Sequence, residues 1–417
     1  MQNYDLIVVG GGLSGVCAAV SGAREGLNVL LIEKSGALGG AINNNLVYPF
    51  MRYWEWTDDW EVERYLSAGL FKEIFDMQSK YETPDNDMNF KPESIKKALD
   101  DIVVSSGVNV LFHTQAFDVT TDGQTVTGVK VLTLSGVKEF TAKFFVDATG
   151  NGDLIALAGC QFQLGREKDG LCQPMTTCFR LSGVDLDRLK KDYPTLQATY
   201  KQFKADGKIQ NPRENILTMT GIGKGILHLN TTRVVKLNPT DPFDVSKAEI
   251  TAREQVFEMF KFLQENSTAF KEATVISVAS EIGVRESRKL KGKHILTQEE
   301  IKNCVAFDDA IALGNYEIDI HSPTGSGTEL YYFKRGEFYQ IPYRSLLPNE
   351  YVNLLVAGRC LSATHEAHSA VRIMPICACM GQAVGSAVAL AIKSGTNAHD
   401  VDIKTLRANL IKNGATL

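Results

Sequence analysis

Residues 5–33 read DLIVVGGGLSGVCAAVSGAREGLNVLLIE. The opening DLIVV is a short apolar run suited to a strand buried on both faces of a parallel sheet. GGGLSG follows, with Gly10, Gly12 and Gly15 in G-x-G-x-x-G spacing. Helix-compatible sequence runs from Val16 to about Glu25, Gly26 can stop it, and NVLLIE makes a second strand ending at Glu33. Strand, glycines, helix, strand and acidic residue occur in the order that a nucleotide-binding βαβ unit needs.

Each part has a physical task. Gly10 permits the tight turn, Gly12 lets the backbone approach a pyrophosphate, and Gly15 lets helix and strand pack closely. Leu13 and Ser14 enter the first helical turn, whose free N–H groups and partial positive charge suit phosphate. Glu33, with Lys34 beside it, stands where a carboxylate can hydrogen-bond a ribose diol. Its charge disfavours a 2′-phosphate, which leaves FAD and NAD open and NADP unlikely.

The 417 residues carry a net charge of -5 and 44% hydrophobic residues, an ordinary globular balance with room for a core that buries a cofactor. No block of like charges marks a nucleic-acid surface. Eight cysteines at irregular spacing predict reduced, mostly buried thiols, with neither a disulfide framework nor a metal site. No leader is visible, and a cytoplasmic location is expected. The longest apolar run, Ile376 to Ile392, falls just short of a bilayer span, and its small residues predict a buried helix packed closely on something else.

Two further markers separate FAD from NAD. Gly39 and Gly40 form a doublet soon after the acidic strand end, and FFVDATGNGD (144–153) is another apolar strand closing on a Gly-rich turn. Both resemble the glutathione-reductase-like superfamily of FAD proteins. The resemblance implies that the doublet turns the chain along the cofactor and that Ala148 and Gly150 lie beside it. Gln115 to Phe117, with Ala116 central, would meet the adenosine through backbone groups. A third block, NLLVAGRCLSATHEAHSAVRIMPICACMGQAVGSAVALA (353–391), resembles the segment that closes the cofactor site in that superfamily. There Gly358, Arg359, Met374 and Gly381 are implied contacts, and the helix N-terminus faces the flavin pyrimidine edge. Many relatives carry an acidic residue after the strand-end glycine; here it is Arg359.

The closest resemblance is to the bacterial FAD-dependent oxidoreductase family, and it runs over nearly the whole chain. It implies an enzyme transferring a hydride between a small organic substrate and flavin N5, with an electron acceptor that the sequence does not name. A flavin-dependent C=C reductase and a non-catalytic FAD-fold subunit are the alternatives. No C-x-x-x-x-C follows the doublet, against a disulfide reductase, and GIGKG (221–225) has the wrong spacing for a second nucleotide site. Cys360 and His365 are the positions from which a covalent flavin bond is conceivable.

The expected fold class is α/β: a Rossmann-like FAD domain (1–50, 90–160 and 340–417) interleaved with an α+β substrate domain (161–339). Residues 51–89 are read as a helical insertion, with an amphipathic helix over 58–81. Hydride transfer needs a partner for the accompanying proton, and histidine suits neutral pH. His321 closes the strand-like YEIDIH before a Gly-rich loop and is the leading acid/base candidate. The spacing of His368 and Arg372 resembles a carboxylate-binding stretch of the fumarate reductase and L-aspartate oxidase families, which makes His368 and Arg372, with His365 in the same loop, substrate-anchor candidates. Arg285 and Arg288 either bind an anion or hold Glu281 and Glu286 in a surface network. Tyr339, Tyr343 and the cluster Tyr53, Trp54, Trp56 and Trp60 are pocket-wall or core residues.

Overall fold

The computed structural model describes residues 3–58 and 61–417. Asn3–Val9 lies inside a 7-stranded sheet. Val29–Ile32 and then Asn109–Leu111 run parallel to it on one side. On the other side comes the second half of Gly136–Asp147, parallel through Val9↔Asp147, and beyond it Leu354–Val356. These are the continuous apolar runs of the sequence, and Val29–Ile32 is buried at every position, as a covered parallel sheet requires. The first half of Gly136–Asp147 instead pairs antiparallel with Thr125–Thr133, which pairs with Gln115–Asp122. One strand therefore serves both a parallel sheet and an antiparallel meander.

The phosphate helix, Leu13–Arg24, lies against the C-terminal helix, Met374–Ser394. The latter extends beyond its apolar run to 21 residues, long and apolar enough to cross a membrane by length and composition, yet 89% of its most apolar window is buried in the fold. Small residues explain the close crossing. A Cβ on Gly381 would lie 2.8 Å from the Ser14 carbonyl carbon, and one on Gly385 would lie 2.9 Å from Gly22 N. Ser21 Oγ donates to the Gln382 carbonyl at 2.9 Å across the same crossing.

A second core forms under a 4-stranded sheet of Thr218–Met219, Leu227–Leu229, Phe179–Ser182 and Thr274–Val278, in that order. Phe179, Leu181, Leu227 and Leu229 point into this core with Tyr200, Met259 and Phe262 of the helices Leu186–Ala205 and Pro242–Asn266. Side chains alternate along a strand, so Cys178, Arg180, His228 and Asn230 take the opposite face.

One local expectation changes. Residues 51–89 are not simply helical: Trp54–Trp56 and Val62–Tyr65 form an antiparallel pair, and the helix is confined to Leu70–Met77 after Gly69. Aromatic and β-branched residues in WEW and VERY favour the extended pairing. His113, at φ 51, separates the strand Asn109–Leu111 from Gln115–Asp122. Within residues 225–235 only Leu227–Leu229 is a strand.

Candidate functional site

The strand ends and the antiparallel sheet enclose a cleft of about 340 Å³. One end is built by the glycine loop. Gly12 caps the phosphate helix without any side-chain hydrogen bond, and a Cβ there would meet nothing within 4 Å. The first-turn N–H groups thus face open space. Glu33 is tied down by the N–H groups of Gly11 at 2.6 Å and Ser35 at 2.8 Å. Gly39 bridges Gly12 in parallel, and Gly39 and Gly40 both have positive φ (102 and 51), so the doublet makes a turn that other residues resist. Gly10, Gly12, Leu13, Ser14, Glu33, Lys34, Gly39 and Gly40 all line the cleft.

Asp147 shapes the opposite wall. Its buried carboxylate accepts from Thr149 N at 3.0 Å, Thr149 Oγ1 at 2.7 Å and Ile155 N at 2.9 Å. Burial pushes its pKa up to about 6 against these bonds. The turn it holds puts Ala148 and Gly150 on the cleft, where Arg359 and Met374 join them. Arg359 donates to Asn151 Oδ1 at 2.7 Å and Ser287 Oγ at 3.3 Å, and no carboxylate among the described residues pairs with it. This end fits a dinucleotide: unpaired helical N–H groups and a guanidinium for phosphates, and a carboxylate for a ribose. Gly15, Gly358, Gly381 and Ala116 do not line the cleft. Behind it, Gly15 and Gly381 pack against the backbones of Gly10 and Ser14, and Gly358 packs against the Ser14 side chain. Ala116 sits in the meander opposite Val131.

The other end gathers Thr176, Cys178, Asn230, Arg285, Tyr316, Asp319, His321 and Arg372. His321 is buried, and both ring nitrogens are engaged. Nδ1 lies 3.1 Å from Arg233 Nη2, which can only donate, so Nδ1 accepts. Nε2 then carries the proton and gives it to Asp319 Oδ2 at 3.1 Å. Burial, then the charge of Arg285, push His321 down to about 3, outweighing Asp319. Asp319 also accepts from the Tyr316 hydroxyl at 3.0 Å and faces Arg372 at 3.8 Å. Burial raises its carboxyl, but His321, Arg372 and Arg285 together hold it far below the usual range.

Arg285 donates to the Pro174 carbonyl at 2.8 Å and to Thr176 Oγ1, and has no ion-pair partner among the described residues. Burial and neighbouring arginines bring it down to about 9. Arg372 reaches Gln173 Oε1 at 3.3 Å, while its buried Nε has no acceptor among the described residues. The pair presents positive charge to the cleft.

His365 is not in this group. Its Nδ1 bonds Glu286 at 2.8 Å, and Glu286 also pairs with Lys289 in full burial. Burial raises the Glu286 carboxyl, but His365 and Lys289 more than reverse it and hold it below the carboxylate range. His368 donates Nε2–H to the Arg359 carbonyl at 2.8 Å, away from the cleft. Glu281 pairs with Lys34 at 2.9 Å and Arg288 with Asp153 at 2.9 Å, so the expected Arg–Glu surface network does not form. Tyr339 and Tyr343 are core residues bonded to the carbonyls of Ala370 and Ala398. Tyr53 packs on Trp54, Tyr65 and Phe71, and Trp56 lies under Arg52; Trp60 lies outside the described residues. Cys360 is fully buried and off the cleft. No group of three or more His, Cys, Asp or Glu among the described residues can hold a metal.

Sequence reasoning passed over Asp319 and Tyr316. The period of two in YEIDIH places Asp319 and His321 on one face, a readable signal. Cys178 and Asn230 carry none.

A family model described as FAD dependent oxidoreductase matches residues 5–410. The chain belongs to this family. It is an FAD-dependent oxidoreductase, and FAD is its cofactor. A digeranylgeranylglycerophospholipid reductase of Picrophilus torridus is 29% identical over 156 residues, 36% of this chain and 39% of that one. The mitochondrial dihydrolipoyl dehydrogenase of Schizosaccharomyces pombe is 51% identical over 41 residues, 10% of this chain and 8% of that one. The chain thus matches well under half the length of these curated relatives. Among solved structures, a flavin-dependent brominase triple mutant superposes with a TM-score of 0.50 at 13% identity, covering 98% of this chain and 84% of that one, a likeness of fold. A geranylgeranyl bacteriochlorophyll reductase-like protein of Thermoplasma acidophilum gives 0.49 at 14% identity, covering 99% and 83%.

Proposed function

We propose that the enzyme transfers a hydride between a small anionic organic substrate and the flavin. The observation that carries this reading is the pair Arg285 and Arg372 on the cleft wall, the first without a carboxylate partner among the described residues and the second with a buried, unpaired Nε. Two guanidiniums in a partly dry cleft suit a substrate carboxylate. Bound FAD supplies the two-electron chemistry; the chain supplies binding and proton transfer.

Asp319 is the base in this reading, and His321 and Tyr316 orient it. With the cleft free of anion, Asp319 is too acidic for the task. A substrate carboxylate neutralises Arg285 and Arg372, two of the groups that depress it beside His321, and raises its basicity when the substrate arrives. His321 is thus a positioning residue. In the reverse direction the Tyr316 phenol, which burial keeps protonated, is the available donor. That feature favours C=C reduction as the second reading.

Anaerobic bleaching of the flavin by a panel of hydroxy, amino and saturated carboxylic acids tests the proposal. Bleaching by one class is expected, with R285Q raising KM and D319N lowering kcat. Asp319→Asn with an unchanged reduction rate excludes it as the base. An H321A protein that keeps FAD should bleach with a shifted pH profile.

A further inference from the structure

Arg180 and His228 stand directly opposite each other in the antiparallel sheet, on the face turned away from its core. Their neighbours two residues along that face, Cys178 and Asn230, line the cleft. The pair therefore lies one pleat repeat, about 7 Å, beyond the substrate end. Both are buried, Arg180 at 8% exposure and His228 at 0%. Arg180 Nε and Nη2 and both ring nitrogens of His228 are buried without a protein hydrogen-bond partner among the described residues. Tyr48, whose ring lies 5.4 Å from that of His228, commits its hydroxyl to the Thr220 carbonyl. The carboxylate that bears on Arg180 among the described residues, Glu93, is on the surface with Lys96.

Two other buried arginines of this half are answered. Arg233 meets Glu214 and two loop carbonyls, and Arg213 meets Asn215. A guanidinium and an imidazole buried together with unmet donors are costly to fold around, unless they serve a ligand.

We propose that Arg180 and His228 form a second oxyanion subsite, which binds a carboxylate or similar planar anion at the far end of the substrate. Arg180 offers Nε and Nη2 as parallel donors to two oxygens, and His228 adds an N–H. Burial and the charge of Arg180 keep His228 neutral, at about 3, so it contributes a hydrogen bond and not a charge. This inference rests on Arg285 and Arg372 anchoring the near end. The substrate class that follows is an elongated dianion whose charged ends are at least a pleat repeat apart.

Calorimetric titration of the FAD-loaded protein with hexanoate and with the α,ω-diacids from glutarate to azelate tests it. At least one diacid is expected to bind about tenfold or more tighter than hexanoate, a difference typical of one added charged contact. R180Q should abolish that advantage and leave hexanoate binding intact, whereas R285Q should weaken both ligands. R180K and H228Q, which disturb packing less, serve if R180Q does not fold; each should lose part of the advantage. Equal binding of hexanoate and every diacid, or a diacid advantage that survives in R180Q, overturns the second subsite and leaves the near anchor standing. No binding of either acid to the wild type overturns both.

Discussion

Gly381→Ala is the sharpest test of how the fold sets the cofactor loop. The added methyl would sit 2.8 Å from the carbonyl carbon and 3.0 Å from the Cα of Ser14, and closer still to its carbonyl oxygen. Carbon atoms in contact prefer about 3.5–4.0 Å, so the phosphate helix must retreat by roughly 1 Å. All the opposing atoms are backbone, and no side chain can swing aside. Overpacking of this kind costs about 1–3 kcal/mol. Ser14 belongs to the first helical turn, so the same retreat displaces the N–H groups that face the pyrophosphate, and each 1.4 kcal/mol lost there is about tenfold in Kd. Urea unfolding of the apoprotein and fluorescence titration with FAD read the two effects separately. Gly385→Ala is the control: its methyl meets Gly22 N at 2.9 Å, farther along the helix, so stability should fall and FAD affinity should hold. A G381A protein with wild-type stability and FAD affinity refutes the reasoning, as does equal loss of FAD in both variants.

Other expectations concern charge and attachment. His228 and His321 are both depressed to about 3 in the fold, so the unfolded chain binds their protons first as pH drops below about 6.5. Stability is therefore fully present above that pH and falls toward pH 3, by about 2 kcal/mol per histidine between pH 7.5 and 5; denaturation at several pH values should show it, with a shallower slope in H321Q. Glu286→Gln strips the carboxylate from buried Lys289 and His365 and should cost about 3–5 kcal/mol by urea unfolding; a neutral outcome would mean the cluster is not held by charge. Arg233→Gln should release His321 Nδ1 and the carbonyls of Gly325 and Gly327, raising KM while FAD affinity stays put. Cys360 and His365 both lie off the cleft, so acid precipitation should send the flavin to the supernatant; colour in the pellet would contradict that placement.

The cofactor half was readable because its constraints are written in residue types. Parallel strands covered on both faces leave unbroken apolar runs, and the turn at Gly39 and Gly40, at positive φ, needs glycine's backbone. The substrate end was readable only in pieces. Arg285, His321 and Arg372 stand out singly, yet Thr176, Cys178 and Asn230 are ordinary residues brought in by a sheet whose register no local pattern announces. Asp319 was legible in principle, since it alternates onto the same face as His321. His365 misled because a histidine two turns from an arginine reads alike whether it faces a ligand or a buried glutamate. The hairpin before Gly69 was hidden by a charged and apolar mixture that also satisfies helical spacing.

The crossing of residues 13–24 with residues 374–394 has a consequence for how the protein comes into being. At about 5–20 residues per second, a ribosome needs tens of seconds to travel from one helix to the other. Throughout that interval the small-residue face of Ser14, Ala18 and Ser21 has no cover, and the glycine loop lacks the wall that fixes it. FAD capture thus comes late in synthesis, and a chain that stalls before residue 374 stays colourless. Acquiring the yellow cofactor doubles as a check that translation has reached the closing helix.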